Sequence, residues 1–538
     1  MRVEGTSAIR WGFGARVIRR VFGSGVLACA VALVAAPVPS ASAGLLRQLS
    51  LGTAGASNAV NVGATMGPDR AWVGLVQTVG GVKRLYADFA LNGRFGRPVV
   101  ADRGNPVVNA GLAGSADGGS GGNAVLAWTE LVGNVHVLFA RSLSSNGTVG
   151  PVVQVSAANQ DAVFDGADMV VPFDRTHVIA MNDKGAAALC YFDAAGMQSF
   201  LATLAPHSNQ WATHQMACSD PHIDTAGDVF ASVGADANNK FSAAMLIGGQ
   251  VRTEIIDPNV NPGDEFAVGL GAGGTALALG RDNNQKALAY LKPNLASSGG
   301  WENVGPLDGG LIPSGFSLED PFAALDAHGN GIVVFRDNNN NNPEGYYRSV
   351  VAGTPMGGAV LDHSMSRLRP VVNALGTPFV AYSAADFNSG FLNIFNAGVP
   401  GSAVPLAPVL GPYDVPSLTS IAVDAGGDVL VLLSVAGPPQ TVAAVFGDFS
   451  SPTLRPVVPR RIRAGRRVLL RSGAADAFAE PSNSEIRWNL PSAVRGRRST
   501  TGLSIHVTFR KRGRFRIIVT ATDPQGHRTS KTLTVRVS

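Results

Sequence analysis

The chain has 538 residues, of which 45% are hydrophobic and only 15% charged, a composition that excludes an intrinsically disordered protein. Its 65 glycines and 32 prolines indicate a turn-rich fold, and its length allows two or more domains. The net charge of +5 is unevenly distributed, because residues 455–538 hold 19 Lys and Arg against 4 Asp and Glu, while residues 44–454 carry −14. The asymmetry predicts an acidic body followed by a basic tail domain.

Residues 1–43 have the organisation of an export signal. A basic start is followed by the apolar segment "VLACAVALVAA" and by small residues at Ala41 and Ala43, which predicts cleavage before Gly44. The "RRVF" motif leaves two routes open, a twin-arginine signal or an ordinary secretory signal. The "VLAC" match to a lipoprotein cleavage box is opposed by the apolar residues that continue past Cys29. No later stretch is long and apolar enough to span a bilayer, so we expect an extracellular or cell-surface protein.

The body, residues 44–454, is a repeat with a period of roughly 50 residues. We interpret eight apolar segments as the second strands of successive units; they begin at Ala71, Ala124, His177, Val229, Ala276, Ile332, Phe379 and Val429. Turns such as "IDTAGD" and "VDAGGD" precede several of them, where Asp or Asn bonds its own backbone and Gly takes a positive φ. The period predicts an all-β, eight-bladed β-propeller, with seven blades as the alternative. The turns resemble repeats of bacterial extracytoplasmic β-propellers, which implies a fold and not an activity.

Two cysteines remain after cleavage of the signal. We expect Cys190 and Cys218 to form a disulfide in an oxidising compartment, with two buried thiols as the alternative. Cys218 also lies in "HSNQWATHQMACSDPHID", which gathers His207, His214 and His222. Because side chains at this spacing lie far apart along a strand, we expect no metal site there.

Several turns between the predicted second and third strands carry an aspartate. They contribute Asp183, Asp236, Asp282, Asp337 and Asp386, and equivalent turns lie on one face of a propeller. One interpretation is structural, since Asp and Asn are preferred in hairpin turns. The other is an acidic rim that binds a divalent cation such as calcium, a glycan or a basic partner. The sequence contains neither Gly-x-Ser-x-Gly nor His-Glu-x-x-His, so the catalytic residues of any enzyme remain unknown.

The tail, residues 455–538, contains the stretch "VTFRKRGRFRIIVTATDPQGHRTSKTLTVRV". It resembles the PKD domain, an immunoglobulin-like β-sandwich of secreted bacterial proteins. The resemblance rests on Phe509, Gly513, Phe515, Ile517, Val519, Thr520, Asp523 and Gly526, with Trp488 as the core tryptophan. The family's acidic Gly-Asp-Gly turn is replaced here by "WNLPSAVRG", which removes support for a metal role of that turn. The resemblance implies a sandwich that follows the propeller.

The tail strands alternate inward apolar residues with outward basic or polar ones, as half-buried antiparallel strands do. The predicted basic face comprises Arg460, Arg461, Arg463, Arg466, Arg467, Arg510, Lys511, Arg512 and Arg514. It either docks onto an anionic surface such as cell-wall polymers, docks onto the acidic propeller, or is a solvated face without a partner. We expect no nucleic-acid binding, because the domain is exported and lacks interleaved exposed aromatics.

These features predict an exported, monomeric binding or adhesion protein. The propeller would be the recognition platform for a glycan, a cell-wall polymer or a surface protein, and the basic sandwich would be an anchor. The alternative is a carbohydrate-active enzyme, a glycosidase or lyase, whose site lies at the propeller mouth. A third interpretation is a spacer without a ligand. No cofactor is expected unless the rim binds calcium.

Overall fold

The computed structural model describes residues 46–52, 56–115, 118–164, 178–236, 238–260, 262–339, 343–363, 365–384, 389–406, 416–435, 440–459, 461–475, 485–496, 498–524 and 526–538. The predicted export signal, Asp386 and Arg460 lie outside these ranges. The described residues form 42 β-strands, and none of them belongs to a helix that could cross a lipid bilayer.

In chain order, the strands of the body form separate sheets. Strand β1 (Leu46–Leu51) precedes sheet 1, which holds β2 (Ser57–Gly67), β3 (Arg70–Val79), β4 (Val82–Leu91), β5 (Arg94–Phe95) and β6 (Val99–Val100). Sheet 2 holds β7 (Val107–Ala113), β8 (Ala124–Val132), β9 (Val135–Leu143) and β10 (Val153–Gln154). Sheet 3 holds β11 (Ala162–Val163), β12 (Ile179–Met181), β13 (Ala187–Asp193), β14 (Gln198–Leu204) and β15 (Trp211–Gln215). Sheet 4 holds β16 (His222–Ile223), β17 (Val229–Ala235), β18 (Phe241–Ile247) and β19 (Gln250–Asp257).

Four further sheets complete the body. Sheet 5 holds β20 (Pro262–Leu270), β21 (Ala276–Asp282), β22 (Ala287–Lys292) and β23 (Glu302–Asn303). Sheet 6 holds β24 (Leu318–Leu325), β25 (Gly331–Asp337), β26 (Gly345–Val351) and β27 (Thr354–Asp362). Sheet 7 holds β28 (Met365–Val372), β29 (Pro378–Ala384), β30 (Gly390–Asn396), β31 (Val399–Pro400) and β32 (Val404–Pro405). Sheet 8 holds β33 (Pro416–Val423), β34 (Val429–Val435) and β35 (Thr441–Gly447), together with β1.

The body sheets are small, antiparallel and packed face to face. The first strands of neighbouring sheets adjoin one another, and β33 of sheet 8 adjoins β2 of sheet 1. The N-terminal β1 pairs with β35, from Leu46 opposite Gly447 to Leu51 opposite Val442, so the start of the chain completes the last sheet. Small sheets that follow one another in this way form a β-propeller.

Hydrophobic cores lie between neighbouring sheets rather than at one centre. Trp72 of sheet 1 shares a cluster with Trp128 and Phe139 of sheet 2, and Leu432 of sheet 8 shares another with Val73 of sheet 1. A middle strand is therefore buried on both faces, and all seven residues of β34 are buried. This explains the uniformly apolar segments of the repeat.

One strand prediction is wrong. The segment that begins at His177 contains β12, which pairs with β13 but lies outside the main strand order of the sheet, so β13 is the second strand of sheet 3. Because Ala187–Asp193 is as apolar as the segment before it, periodicity alone could not show which of the two lies in the middle. The other seven segments lie in β3, β8, β17, β21, β25, β29 and β34, all of them second strands.

The predicted disulfide between Cys190 and Cys218 is confirmed, with the two Cα atoms 5.5 Å apart. Cys190 lies in the middle of β13, and Cys218 lies in the segment between β15 and β16. Both cysteines belong to the apolar cluster that joins sheet 3 to sheet 4, together with Val229 and Leu246. The covalent bond therefore fastens two neighbouring sheets at their shared core.

The tail contains two more antiparallel sheets. One holds β36 (Thr453–Val457), β37 (Arg467–Ala475) and β40 (Ser504–Thr508); the other holds β38 (Ile486–Asn489), β39 (Ser499–Thr501), β41 (Gly513–Thr522) and β42 (Arg528–Val537). Residues of both sheets share one core, which includes Leu470 and Val535. Trp488 lies fully buried in that core, and its Nε1 donates a 2.8 Å hydrogen bond to the Gly502 carbonyl.

Candidate functional site

Asp236, Asp282 and Asp337 all lie where the second strand of a sheet turns into the third. Asp236 Oδ1 accepts 2.8 Å hydrogen bonds from the backbone N–H groups two and four residues later. Asp282 Oδ1 makes the same two bonds, each also 2.8 Å. Asp337 Oδ1 accepts a 3.0 Å bond from the Glu344 N–H across a longer turn. These carboxylate oxygens close their own turns, which favours the structural interpretation of the rim.

Asp183 does not share that position. It follows β12, in a turn between first and second strands, and its side chain is exposed. The neighbouring Asn182 closes this turn, since its Oδ1 accepts the Ala186 N–H at 2.9 Å. The residue of sheet 3 that corresponds to Asp236 is Asp193, whose Oδ1 accepts the Ala195 N–H at 3.1 Å. Asp183 therefore lies at one end of sheet 3, whereas Asp236, Asp282 and Asp337 lie at the opposite end of their own sheets.

A polar cluster that the sequence did not reveal surrounds Glu344 beside the asparagine-rich turn. Glu344 Oε2 accepts a 2.9 Å hydrogen bond from Tyr346 Oη, and Glu344 Oε1 lies 2.7 Å from His363 Nδ1. Asp337 Oδ2 lies 3.3 Å from the same Tyr346 hydroxyl. The His363 side chain is 69% exposed, so the carboxylate–imidazole pair is available to solvent at this end of sheet 6.

Tyrosine–carboxylate contacts recur on the neighbouring sheets. Tyr382 Oη of sheet 7 donates a 2.9 Å hydrogen bond to Asp362 of sheet 6, and Tyr290 Oη of sheet 5 donates a 2.8 Å bond to Asp257. Burial, followed by the adjacent carboxylate, raises the pKa of Tyr290 and of Tyr382. Both phenols therefore keep their protons at neutral pH and act as hydrogen-bond donors rather than as nucleophiles.

Sheet 6 also holds a cluster of one arginine and two carboxylates. Arg336 Nε lies 2.5 Å from Asp320 Oδ2, and Arg336 Nη2 lies 2.9 Å from Glu319 Oε2. The three side chains therefore form a network of ion pairs between the first two strands of sheet 6.

The tail brings its two arginine-rich runs together. The Gly465 N–H donates a 2.7 Å hydrogen bond to the Phe509 carbonyl, and Ile462 bridges Val537 in parallel. Both contacts lie at the end of the tail where β41 begins and β42 ends. We call the exposed cations there the basic pole: Arg461, Arg463, Arg466, Arg467, Arg510, Lys511, Arg512, Arg514 and Arg536.

The basic pole contains an arginine that the sequence interpretation missed. Arg536 of β42 lies directly opposite Arg514 of β41, and both side chains are exposed. Opposed like charges on neighbouring strands destabilise a sheet. The alternation of "KTLTVRV" already placed Arg536 on the outer face, but its partner became known only from the strand register.

The basic pole faces away from the propeller. The last propeller strand ends at Gly447, and the turn of the tail that meets this region joins the other ends of β41 and β42, where His527 contacts Asp448. Strand β41 has 10 residues, which at about 3.3 Å per residue places its two ends about 30 Å apart. This geometry does not favour docking of the basic face onto the acidic propeller.

No family model and no curated protein matches this chain. Among solved structures, it is similar to the β-propeller domain of the Trilobed protease from Pyrococcus furiosus, with a TM-score of 0.39 and 11% identity over 66% of this chain and 100% of that one. It is also similar to the Dos1 propeller, with a TM-score of 0.40 and 8% identity over 74% of this chain and 94% of that one. Prolyl oligopeptidase B from Galerina marginata matches with a TM-score of 0.40 and 13% identity, over 70% of this chain and 55% of the enzyme.

Proposed function

We propose that this is an exported, non-catalytic binding protein whose basic pole attaches it to an anionic polymer of the cell surface. In this proposal the eight body sheets are the blades of an eight-bladed propeller that serves as the recognition platform. The tail is a PKD-like, immunoglobulin-like sandwich that acts as the anchor. The observation that carries the proposal is the convergence of two arginine-rich runs, together with Arg536, on one exposed end of the tail.

The charge distribution supports an anionic partner. Arg514 and Arg536 lie opposite each other although the repulsion between them costs stability, and a bound polyanion would offset this repulsion. The cations of the pole are exposed, so each can reach a phosphate or carboxylate without a change in the fold. Because the pole lies about 30 Å along β41 from the propeller junction, a bound polymer would leave the propeller free to contact a second ligand.

The test uses residues 44–538 and soluble poly(glycerol phosphate) as the probe, with affinity measured by calorimetry at low salt. Each cation near an anionic surface contributes about 1 kcal/mol. The triple variant Arg512→Gln, Arg514→Gln and Arg536→Gln should therefore bind roughly 100-fold more weakly.

A matched control has the same change of charge elsewhere. Arg94, Arg97 and Arg252 are exposed arginines of the propeller, and their replacement by glutamine should leave the affinity within about threefold of the wild type. Equal losses in the two triple variants would show that net charge alone causes binding, and the basic pole would lose its assigned role.

A further inference from the structure

A buried group of three side chains joins the propeller to the tail. Asp448 directly follows β35, while Asp523 and His527 lie in the turn between β41 and β42. The side chains of both aspartates are 0% exposed and that of His527 is 7% exposed. One potential ligand atom from each residue lies within 4.8 Å of the other two.

The distances suit a single ion. His527 Nδ1 lies 2.9 Å from Asp523 Oδ2 and 3.6 Å from Asp448 Oδ1. Around a tetrahedral Zn²⁺ with bonds of about 2.0–2.2 Å to His and Asp, neighbouring ligand atoms lie roughly 3.3–3.5 Å apart. The two observed distances lie on either side of that range, so shifts of a few tenths of an ångström would create the coordination geometry.

Backbone contacts hold the ligands in place on both sides of the junction. Asp523 Oδ1 accepts the His527 N–H at 2.8 Å, which closes the turn and leaves Oδ2 directed toward the imidazole. On the propeller side, the Phe449 and Ser450 N–H groups donate to Asp428 Oδ1 at 2.9 and 2.7 Å, which fixes the residues directly after Asp448. Such an arrangement requires little ordering when an ion binds.

Charge also favours a cation. Two carboxylates held close together in a buried site cannot both ionise without a compensating positive charge. A protonated imidazole supplies one positive charge, whereas a divalent ion supplies two and uses the neutral imidazole as a ligand. One nitrogen and two carboxylate oxygens form a donor set that suits Zn²⁺ better than the all-oxygen sites of Ca²⁺ or Mg²⁺.

We propose that Asp448, Asp523 and His527 bind one divalent transition-metal ion, with Zn²⁺ preferred, that fastens the tail to the propeller. The three protein ligands leave a fourth tetrahedral position for water. This site is independent of the basic pole, so the failure of either proposal leaves the other intact.

The first experiment needs no variant. Residues 44–538 are stripped with EDTA, desalted and titrated with Zn²⁺, and the bound metal is counted by mass spectrometry. We expect one equivalent of Zn²⁺ per chain, a thermal midpoint several degrees higher than in EDTA, and slower proteolysis of the segment that joins the propeller to the tail. A protein that binds less than a tenth of an equivalent and melts identically with Zn²⁺ and with EDTA would overturn the proposal.

The second experiment places the metal. His527→Gln and Asp448→Asn should each lower the Zn²⁺ affinity at least tenfold and abolish the visible absorption of bound Co²⁺. The control is His136→Gln, because His136 makes a comparable 2.8 Å contact with Asp161 away from the junction, and its Zn²⁺ affinity should stay unchanged. If His527→Gln folds and still binds one tight equivalent of Zn²⁺, the metal lies elsewhere and the assignment is wrong. If stability depends on the pH but not on Zn²⁺, a proton held between the carboxylates replaces the metal, which also contradicts the proposal.

Discussion

Replacing Asp88 by asparagine should stabilise the protein at alkaline pH and destabilise it slightly at acidic pH. Asp88 lies in β4, is only 2% exposed, and its Oδ1 has no hydrogen-bond partner among the described residues. Its neighbours on the same face of the strand, Tyr86 and Ala90, belong to the apolar cluster between sheets 8 and 1. Burial raises the pKa of Asp88 from its ordinary value near 3.8 to about 7.

The raised pKa sets both the sign and the size of the effect. Between about pH 4 and pH 7 the folded protein retains a proton that the unfolded chain has lost, so stability falls as the pH rises through this window. At about 1.36 kcal/mol per pKa unit, the loss approaches about 4 kcal/mol above pH 7. The asparagine amide remains buried and poorly paired, at a cost of about 1–3 kcal/mol. The net gain for Asp88→Asn should therefore be about 2 kcal/mol at pH 8.5.

The assay is urea unfolding of residues 44–538, followed by tryptophan fluorescence at pH 4.5 and at pH 8.5. The wild type should lose stability between the two pH values, and Asp88→Asn should lose clearly less. Glu302→Gln is the control, because Glu302 is an exposed carboxylate of β23 and should leave the pH dependence unchanged. If Asp88→Asn is less stable than the wild type at pH 8.5, the ionised Asp88 carboxylate stabilises the folded protein, and the reasoning is refuted.

Three other predictions test individual contacts. Asp282→Ala should lower the free energy of unfolding by about 1–2 kcal/mol, because two hydrogen bonds to backbone N–H groups are lost. Asp282→Asn should cause no such loss, because the amide oxygen can still accept both bonds. If calcium instead raises the melting temperature of the wild type and Asp282→Asn abolishes that rise, the rim binds a cation. The double variant Cys190→Ser and Cys218→Ser should have a free energy of unfolding roughly 3.5 kcal/mol lower than the wild type, from the loop entropy that the disulfide removes. Dithiothreitol should then destabilise the wild type but not the variant. Equal destabilisation of both proteins by dithiothreitol would contradict this prediction. Replacing Lys292 by methionine should lower the free energy of unfolding by about 3 kcal/mol, because Lys292 is fully buried and its Nζ lies 2.6 Å from Glu254 Oε2. The added change Glu254→Gln should recover part of this loss. If urea unfolding shows no recovery, this ion pair is not the cause of the loss.

The repeat was predictable from the sequence because its physical cause is local. Seven of the eight segments chosen by apolar composition lie in second strands, since strands buried on both faces must be continuously apolar. The exception at His177 arose because β12 and β13 are both short and apolar, and only hydrogen-bond pairing distinguishes an edge strand from a middle one.

The candidate sites were less predictable because they depend on register between distant segments. Glu344 and His363 meet only through the pairing of β26 with β27, which includes two register shifts. Asp448 and His527 lie in different parts of the fold and come together only when the tail packs on the propeller. Sequence spacing contains no signal for such contacts, although the alternation of the tail strands did indicate where basic side chains face solvent.

The most direct test of the proposed function is retention on intact cells. The exported wild type and the variant with Arg512→Gln, Arg514→Gln and Arg536→Gln are expressed equally, and the fraction bound to washed cells is measured at increasing NaCl concentrations. We predict that the wild type is retained at low salt and released as salt screens the cations, whereas the variant is found mainly in the medium. Equal retention of both proteins at every salt concentration would contradict the anchoring role of the basic pole.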